Sequence, residues 1–213
     1  MGSLFLARHS ITAASASGRN LGQASDPPLA DAGVALASAL ASAIVAEMEE
    51  LPHDELRLIS SPALRCRQTA EAIARGLRRD ANEIAIEPGL VEIDYGAWEG
   101  LSDDESRDRY PELRAAWDAD PYVNHCPAGE SGADVAARCL PIFREIEGWL
   151  AERSRCAIVV AHNHVNRVRI CELMGWRMSD YRRRVAQDPG AYSMFTYGGN
   201  VPVVRRMNAA ASL

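Results

Sequence analysis

Two apolar runs in this chain each end on a histidine. Residues 3–7 (SLFLA) lead into Arg8 and His9, and residues 156–161 (CAIVVA) lead into His162. Apolar runs this short read as strands buried on both faces, so the residues after them emerge where a parallel strand ends. Open α/β sheets keep their ligands outside the carboxyl ends of their strands. If the two strands are neighbours and parallel, His9 and His162 share one edge of the sheet. Taken singly, each histidine also reads as an ordinary hydrogen-bonded loop residue. Together with Arg8, Arg65 and Glu92 they form a pattern.

The rest of the chain supplies alternating elements. The polar stretch at residues 11–29 (ITAASASGRNLGQASDPPL) is too long for an ordinary strand-to-helix connection and reads as a functional rim. At about residues 31–50, Leu36, Leu40, Ile44, Met48 and Leu51 fall three or four apart, which predicts a helix packed on a sheet. RLIS at 57–60 predicts a strand. Ser61 and Pro62 supply an N-cap and a first-turn proline for a helix through about residue 76. EIAI at 83–86 predicts another strand, and the aromatic, acidic and irregular stretch 94–130 a lid-like insertion over the site. Ser131 and Asp134 resemble a capping box opening a helix to about residue 153. A further helix is expected from Val165 to about Met174, then two late strands, YSMFTY and VPVVRR, joined through Gly198, Gly199 and Asn200. No internal repeat interrupts this order. With 213 residues the chain suits one domain, residues 1–213, built as a three-layer α/β/α sandwich around a mainly parallel sheet.

Composition narrows the chemistry. A formal net charge of −6 and a pI near 5.4 provide no overall basic field for nucleic acid or an anionic membrane. The run Arg182 to Arg184 reads as a solvated helix face. All 23 basic residues are arginine, so neither a P-loop lysine nor a Schiff-base lysine exists. Five widely spaced cysteines without a CxxC pair argue against a disulfide framework or a zinc site and fit a reducing, cytoplasmic location. No signal peptide is recognisable and no apolar run approaches the length of a membrane span. The start MGSLFL also lacks the myristoylation pattern. His162 and His164 form an HxH pair that could ligate a metal on a strand, but the pair opens a helix, where residues two apart diverge, so no metal site is expected. The expected partner is a small phosphate ester rather than nucleic acid or a membrane, and a homodimer is compatible with the sequence.

Four blocks, ARHS, SSPALRCRQTAEAI, VEIDYGAWEG and VVAHNHVNR, resemble the signature blocks of the histidine phosphatase superfamily, also called phosphoglycerate mutase-like. They come in that family's order and span residues 4 to about 170. The resemblance implies an α/β sandwich around a six-stranded, mainly parallel sheet. It also implies a catalytic set in which His9 takes the phosphoryl group, Arg8 and Arg65 hold its oxygens, His162 completes the pocket and Glu92 donates a proton. Ser15 stands where mutases and many phosphatases carry asparagine, and with Asn163 it is counted among the phosphate-binding residues. Asn20 is nearby but out of register, and Asp26 lies in a pattern that shapes a loop in relatives. The chain departs from the family at Ser10, where many relatives have glycine, and at Asn163 and His164, where many have two glycines. These side chains would add hydrogen-bonding groups near the phosphate, tuning substrate choice or weakening turnover.

The chemistry fits these assignments. A phosphomonoester carries about two negative charges, and positioned cations do most of the work of its transfer. Two guanidinium forks and a protonated or donating His162 supply that charge without magnesium, so neither metal nor cofactor is expected. A neutral imidazole can attack through one nitrogen while the other donates to a backbone carbonyl. Glu92 needs a raised pKa to donate a proton, which burial beneath residues 95–98 would provide. The reading is a metal-independent phosphomonoesterase of a small metabolite working through phosphohistidine. The alternatives are a phosphoglycerate mutase or a non-catalytic phosphate-binding relative. The DYGAWEG block and the short acidic segment after it look more like the phosphatase branch than the mutases' longer insertion, and the loop pattern with the EIDYGAWEG block is similar to α-ribazole phosphatases. Trp98, Trp117, Tyr110, Tyr122 and His125 in the insertion either stack on a sugar or base or pack on one another.

Overall fold

Strands that occupy the middle of a sheet covered on both faces are near-continuously apolar, and apart from Ser3 the two histidine-tipped runs meet that condition. The computed structural model describes residues 1–51, 53–152, 154–198 and 201–211. Its strands are β1 (Gly2–Arg8), β2 (Glu55–Ser60), β3 (Ala85–Ile86), β4 (Arg155–Ala161), β5 (Ala191–Tyr197) and β6 (Val203–Ala210). They form one sheet in the order β3-β2-β4-β1-β5-β6, with β1 to β4 parallel and β5 and β6 antiparallel. β1 and β4 lie side by side at the centre, Arg8 opposite Ala161.

The helices are α1 (Ala13–Ala16), α2 (Asp31–Glu49), α3 (Leu64–Gly76), α4 (Asp103–Arg109), α5 (Pro111–Ala119), α6 (Gly132–Leu150), α7 (Asn163–Leu173) and α8 (Tyr181–Arg184). Successive side chains of a strand point to opposite faces. Phe5, Ala7, Ile158 and Val160 accordingly pack with α2 and α3, through Leu40, Ile44, Ala70 and Ile73. Leu4, Leu6, Val159 and Ala161 pack with α6 and α7 on the other face, through Val135, Phe143, Val165 and Val168. The result is the expected three-layer sandwich around a six-stranded sheet.

Several boundaries move for identifiable reasons. α3 begins at Leu64, not at Ser61 and Pro62, and its N-cap Ala63 makes no side-chain cap; the Ser61 hydroxyl is turned to His162 instead. Only Ala85 and Ile86 of the EIAI stretch pair as β3, because residues 81–83 form a 3-10 turn. α7 starts at Asn163, two residues before the predicted start. The Ser131 and Asp134 capping box is present and opens α6, which ends at Leu150; the predicted end at residue 153 lies outside the described residues. So do Gly199 and Asn200, two of the three residues expected to join the late strands. Of the predicted α2 stripe, Leu40, Ile44 and Met48 are buried, while Leu36 and Leu51 are half-buried.

Helix α2 also corrects the expectation about apolar length. It is 19 residues long with a mean hydropathy of 1.4, enough by length and composition to cross a membrane. Alanine carries much of that hydropathy, and the Leu40, Ile44 and Met48 face is covered by α3 and the sheet.

Ile158 lies fully buried at the centre of β4. Replacing it with valine is expected to cost about 0.5–1.5 kcal/mol and with alanine about 2–5 kcal/mol, read as shifts of the urea midpoint at unchanged slope. Equal, small effects would contradict a close-packed central strand.

Candidate active site

Parallel pairing of β1 with β4 places the residues after each strand side by side. The His9 N–H donates to the Ala161 carbonyl at 3.0 Å, and the rings of His9 and His162 meet edge-on with centroids 5.2 Å apart. His9 Nδ1 lies 2.8 Å from the Ser10 carbonyl oxygen. A carbonyl can only accept, so Nδ1 carries the proton and Nε2 the free lone pair. Burial foremost, then the positive charges of Arg8 and Arg65, hold the His9 pKa well below the usual histidine range.

Arg65, in the first turn of α3, is buried and donates to the Gly22 carbonyl at 2.9 Å and to His162 Nδ1 at 3.3 Å. Asp26 stands 3.6 Å from the same guanidinium and accepts the Leu64 N–H at 2.8 Å, a structural role at the start of α3. Because Nδ1 of His162 accepts from Arg65, its Nε2 donates to Ser61 Oγ at 2.8 Å. Burial first, and then Arg65, hold His162 neutral too. Arg8 donates to the Gln187 carbonyl. The Nε atoms of both arginines are buried without a protein partner.

Glu92 is buried, its Oε1 accepting from the backbone N–H groups of Ile93 at 2.9 Å and His164 at 3.1 Å. Burial outweighs these hydrogen bonds and the nearby Arg8 and Arg65, and raises its pKa. The His164 imidazole lies 3.0 Å from Tyr95 Oη through Nε2 and 2.7 Å from Tyr181 Oη through Nδ1. Burial keeps this ring neutral, so it donates to one tyrosine and accepts from the other.

Two cavities flank Glu92. One of about 210 Å³ is lined by Arg8, His9, Ser15, Asn20, Tyr95, Asn163 and Arg182 among others; the second, of about 230 Å³, reaches Arg65, Gly22 and Asp26. The predicted residues Arg8, His9, Arg65, Glu92, Ser15 and Asn163 thus converge, whereas His162 is fully buried behind Arg65 and lines neither cavity. Ser15 reaches the wall, but its hydroxyl is used at the start of α1, where it exchanges hydrogen bonds with Thr12.

The family departures do not all face the phosphate. Ser10 donates to the Gly33 carbonyl at 2.7 Å, and His164 points at the two tyrosines; only Asn163 faces the cavity. His162 and His164 diverge, as expected for residues two apart at a helix start. Trp98 and Trp117 pack on each other, centroids 5.4 Å apart, so these two serve as core and not as a stacking platform. Tyr110 and Tyr122 pack against the same core, and His125 is exposed beside Asp134. Sequence reasoning missed Arg19, Asn20 and Arg182 as wall residues. The first two lie in the polar rim, a usable signal; Arg182 had been set aside as a solvated face.

The family model of the histidine phosphatase superfamily (branch 1) matches residues 4–210. The chain belongs to this superfamily. It is 30% identical to phosphoserine phosphatase 1 of Hydrogenobacter thermophilus over 99% of this chain and 93% of that one. It is 34% identical to a 6-phosphofructo-2-kinase/fructose-2,6-bisphosphatase of Caenorhabditis elegans, over 78% of this chain but only 32% of that longer protein. Among solved structures, a mycobacterial glucosyl-3-phosphoglycerate phosphatase superposes with a TM-score of 0.81 at 23% identity, covering 99% of this chain and 100% of that one. A candidate α-ribazole-5′-P phosphatase from Escherichia coli superposes with a TM-score of 0.78 at 22% identity, covering 100% and 98%. These superpositions establish the common fold.

Three histidines held neutral by burial make stability pH-dependent. Below the ordinary histidine value of 6.5 the unfolded chain binds protons that the folded chain refuses, so stability falls as pH falls. Glu92, shifted upward, acts in the opposite sense by one proton. Urea titrations from pH 8 to 5 should show stability level above pH 6.5 and declining below it, by up to about 1.4 kcal/mol per pH unit for each net proton; a flat profile would overturn the neutral assignment. A double-mutant cycle between His164→Ala and Tyr181→Phe should return a coupling energy of about 0.5–3 kcal/mol.

Proposed function

We propose that this chain is a phosphomonoesterase that hydrolyses a small phosphorylated metabolite through a phosphohistidine at His9, without a metal or other cofactor. The observation that carries this reading is the His9 tautomer. With Nδ1–H committed to the Ser10 carbonyl, Nε2 is the nucleophilic nitrogen, and the two arginines whose charges act on this ring, Arg8 and Arg65, have Nε–H groups without a protein partner.

In the proposed reaction His9 Nε2 attacks phosphorus while the ester P–O bond breaks. The departing oxygen takes the proton of Glu92, releasing the alcohol. Water then attacks the phosphohistidine, Glu92 as carboxylate accepts its proton, and the P–N bond breaks to return the lone pair to His9 and liberate phosphate. Arg8 and Arg65 hold the equatorial oxygens, and their fixed charges offset the developing negative charge. His162 keeps Arg65 oriented at the edge of the phosphate position. Residues 1–213 act as one catalytic unit in which segment 94–130 walls the site.

The test uses p-nitrophenyl phosphate and a phosphate ester of an unactivated alcohol. Wild-type turnover should persist in EDTA, and His9→Ala should abolish both turnover and the alkali-stable phosphoenzyme trapped by rapid quench. Glu92→Gln should lower kcat on the unactivated ester about 10²- to 10⁴-fold and much less on the nitrophenyl ester, whose leaving group needs little protonation. Since the raised Glu92 pKa must be exceeded before the acid is lost, kcat/KM should fall on the alkaline side, and this limb should vanish in Glu92→Gln. Label on any residue other than His9 would refute the mechanism, and phosphoryl exchange with 2,3-bisphosphoglycerate would favour a mutase.

A further inference from the structure

Arg65 is held by Gly22, His162 and Asp26, but Arg8 has far less support. Among the described residues its side chain makes one hydrogen bond, from Nη1 to the Gln187 carbonyl, and has no carboxylate within ion-pair distance. The aim of Arg8 therefore depends on where that carbonyl is fixed. Gln187 lies in segment 185–190, which joins α8 to β5 without helix or strand of its own. α8 anchors one end, through Tyr181 on His164 and through the Arg182 guanidinium 4.1 Å above the Trp117 ring. At the other end the Gly190 N–H donates to the His9 carbonyl at 3.1 Å.

Between these ends two asparagines from distant elements brace the segment. Asn166, fully buried on α7, donates from Nδ2 to Gln187 Oε1 at 3.1 Å, and Gln187 Nε2 turns back on the Ala186 carbonyl at 2.9 Å. Asn208 reaches the next residue from the edge strand β6. Its Oδ1 accepts the Asp188 N–H and its Nδ2 donates to the Asp188 carboxylate, both at 2.8 Å.

Asn208 turns inward because β6 carries a bulge. Tyr192 pairs with Ala209 and Met194 with Arg206, so Ser193 alone faces both Met207 and Asn208. Asn208 takes a φ of +48°, a left-handed conformation in which asparagine is enriched, and its N–H donates to Ser193 Oγ at 3.0 Å. An extra residue in an edge strand re-aims a side chain. Most of β6 is exposed, so packing does not account for the bulge.

We infer that Asn166 and Asn208 are positioning residues: by fixing segment 185–190 from α7 and from β6, they hold the Gln187 carbonyl where it aims Arg8 at the phosphate on His9. This role rests on the proposed esterase reading of Arg8 and adds the residues that aim it. Asp188 also favours the charged form of Arg8, so the test separates geometry from charge.

Calorimetric titration with inorganic phosphate measures the aim of Arg8 without turnover, while urea midpoints of the same variants report stability. Asn208→Gly keeps the left-handed backbone unstrained and deletes the clasp on Asp188. Asn166→Leu replaces the buried amide with an apolar group of similar size. Each should weaken phosphate binding about two- to tenfold, and in an Arg8→Met background neither should have any further effect. Asp188→Asn keeps both hydrogen bonds of the clasp but removes its charge, and should bind phosphate at least as tightly as wild type.

Lower urea midpoints with unchanged phosphate affinity would make both asparagines merely structural and overturn their positioning role. Equal losses with and without Arg8 would do the same, as would a loss in Asp188→Asn matching that in Asn208→Gly. Because Asn208 sits on an exposed edge strand, its variant carries the test even where Asn166→Leu does not fold. If affinity is unchanged while p-nitrophenyl phosphate is turned over through His9, the bracing fails and the esterase stands. Weakened phosphate binding through Arg8 in a protein that forms no phosphohistidine is the reverse. Phosphate binding indifferent to Arg8→Met rejects both.

Discussion

The parallel pairing of β1 with β4 is the constraint on which the site depends. Because side chains alternate across a strand, a slip of one residue would exchange every inward and outward position, and the opposite faces of β1, Phe5 with Ala7 and Leu4 with Leu6, are committed to different helix layers. That double commitment fixes Arg8 against Ala161 and so brings His9 level with His162. β2 joins from the other side of β4, and the Ser61 N–H donates to the Val160 carbonyl at 3.0 Å. Three strand ends thus deliver His9, Ser61 and His162 in a row, with no loop required to find its place independently.

Burial then does two opposite things in one pocket. It disfavours the charged form of every group, which keeps His9 neutral and lets Glu92 hold its proton to higher pH than an ordinary glutamate. Neighbouring arginines push both groups toward their less protonated forms, yet Glu92 still ends raised, since the effect of burial outweighs them. In the proposed mechanism nucleophile and acid are therefore ready in the same pH range. The His164 ring gives each of two buried tyrosine hydroxyls a hydrogen-bond partner.

What was legible in the sequence followed from local physics. Central strands announce themselves by uninterrupted apolar runs, so β1 and β4 and the histidines at their tips could be placed. α2 showed its stripe, and Ser131 with Asp134 marked the start of α6. Edge strands carry no such signature, and β3 shrank to two residues. The start of α3 was misplaced because a serine before a proline looks like a cap until a histidine a hundred residues later claims its hydroxyl. Arg182 was misread for the same reason: whether an arginine faces water or a cavity depends on Trp117, far away in sequence. Ser10, Asn163 and His164 were visible as departures, but which way each points is set by tertiary partners, Gly33, the cavity and the two tyrosines.

Helix α3 has surrendered its local serine to His162, and its first free amide is capped instead by Asp26, 38 residues earlier in the chain. The same aspartate stands 3.6 Å from the Arg65 guanidinium, while the Gly22 carbonyl of that rim accepts a hydrogen bond from it. In the proposed mechanism the arginine that grips the phosphate is consequently aimed by a polar segment that contributes little to the apolar core. Loosening that segment would blunt anion affinity well before it unravelled the sandwich, so the rim and the scaffold can drift apart in stability over evolutionary time.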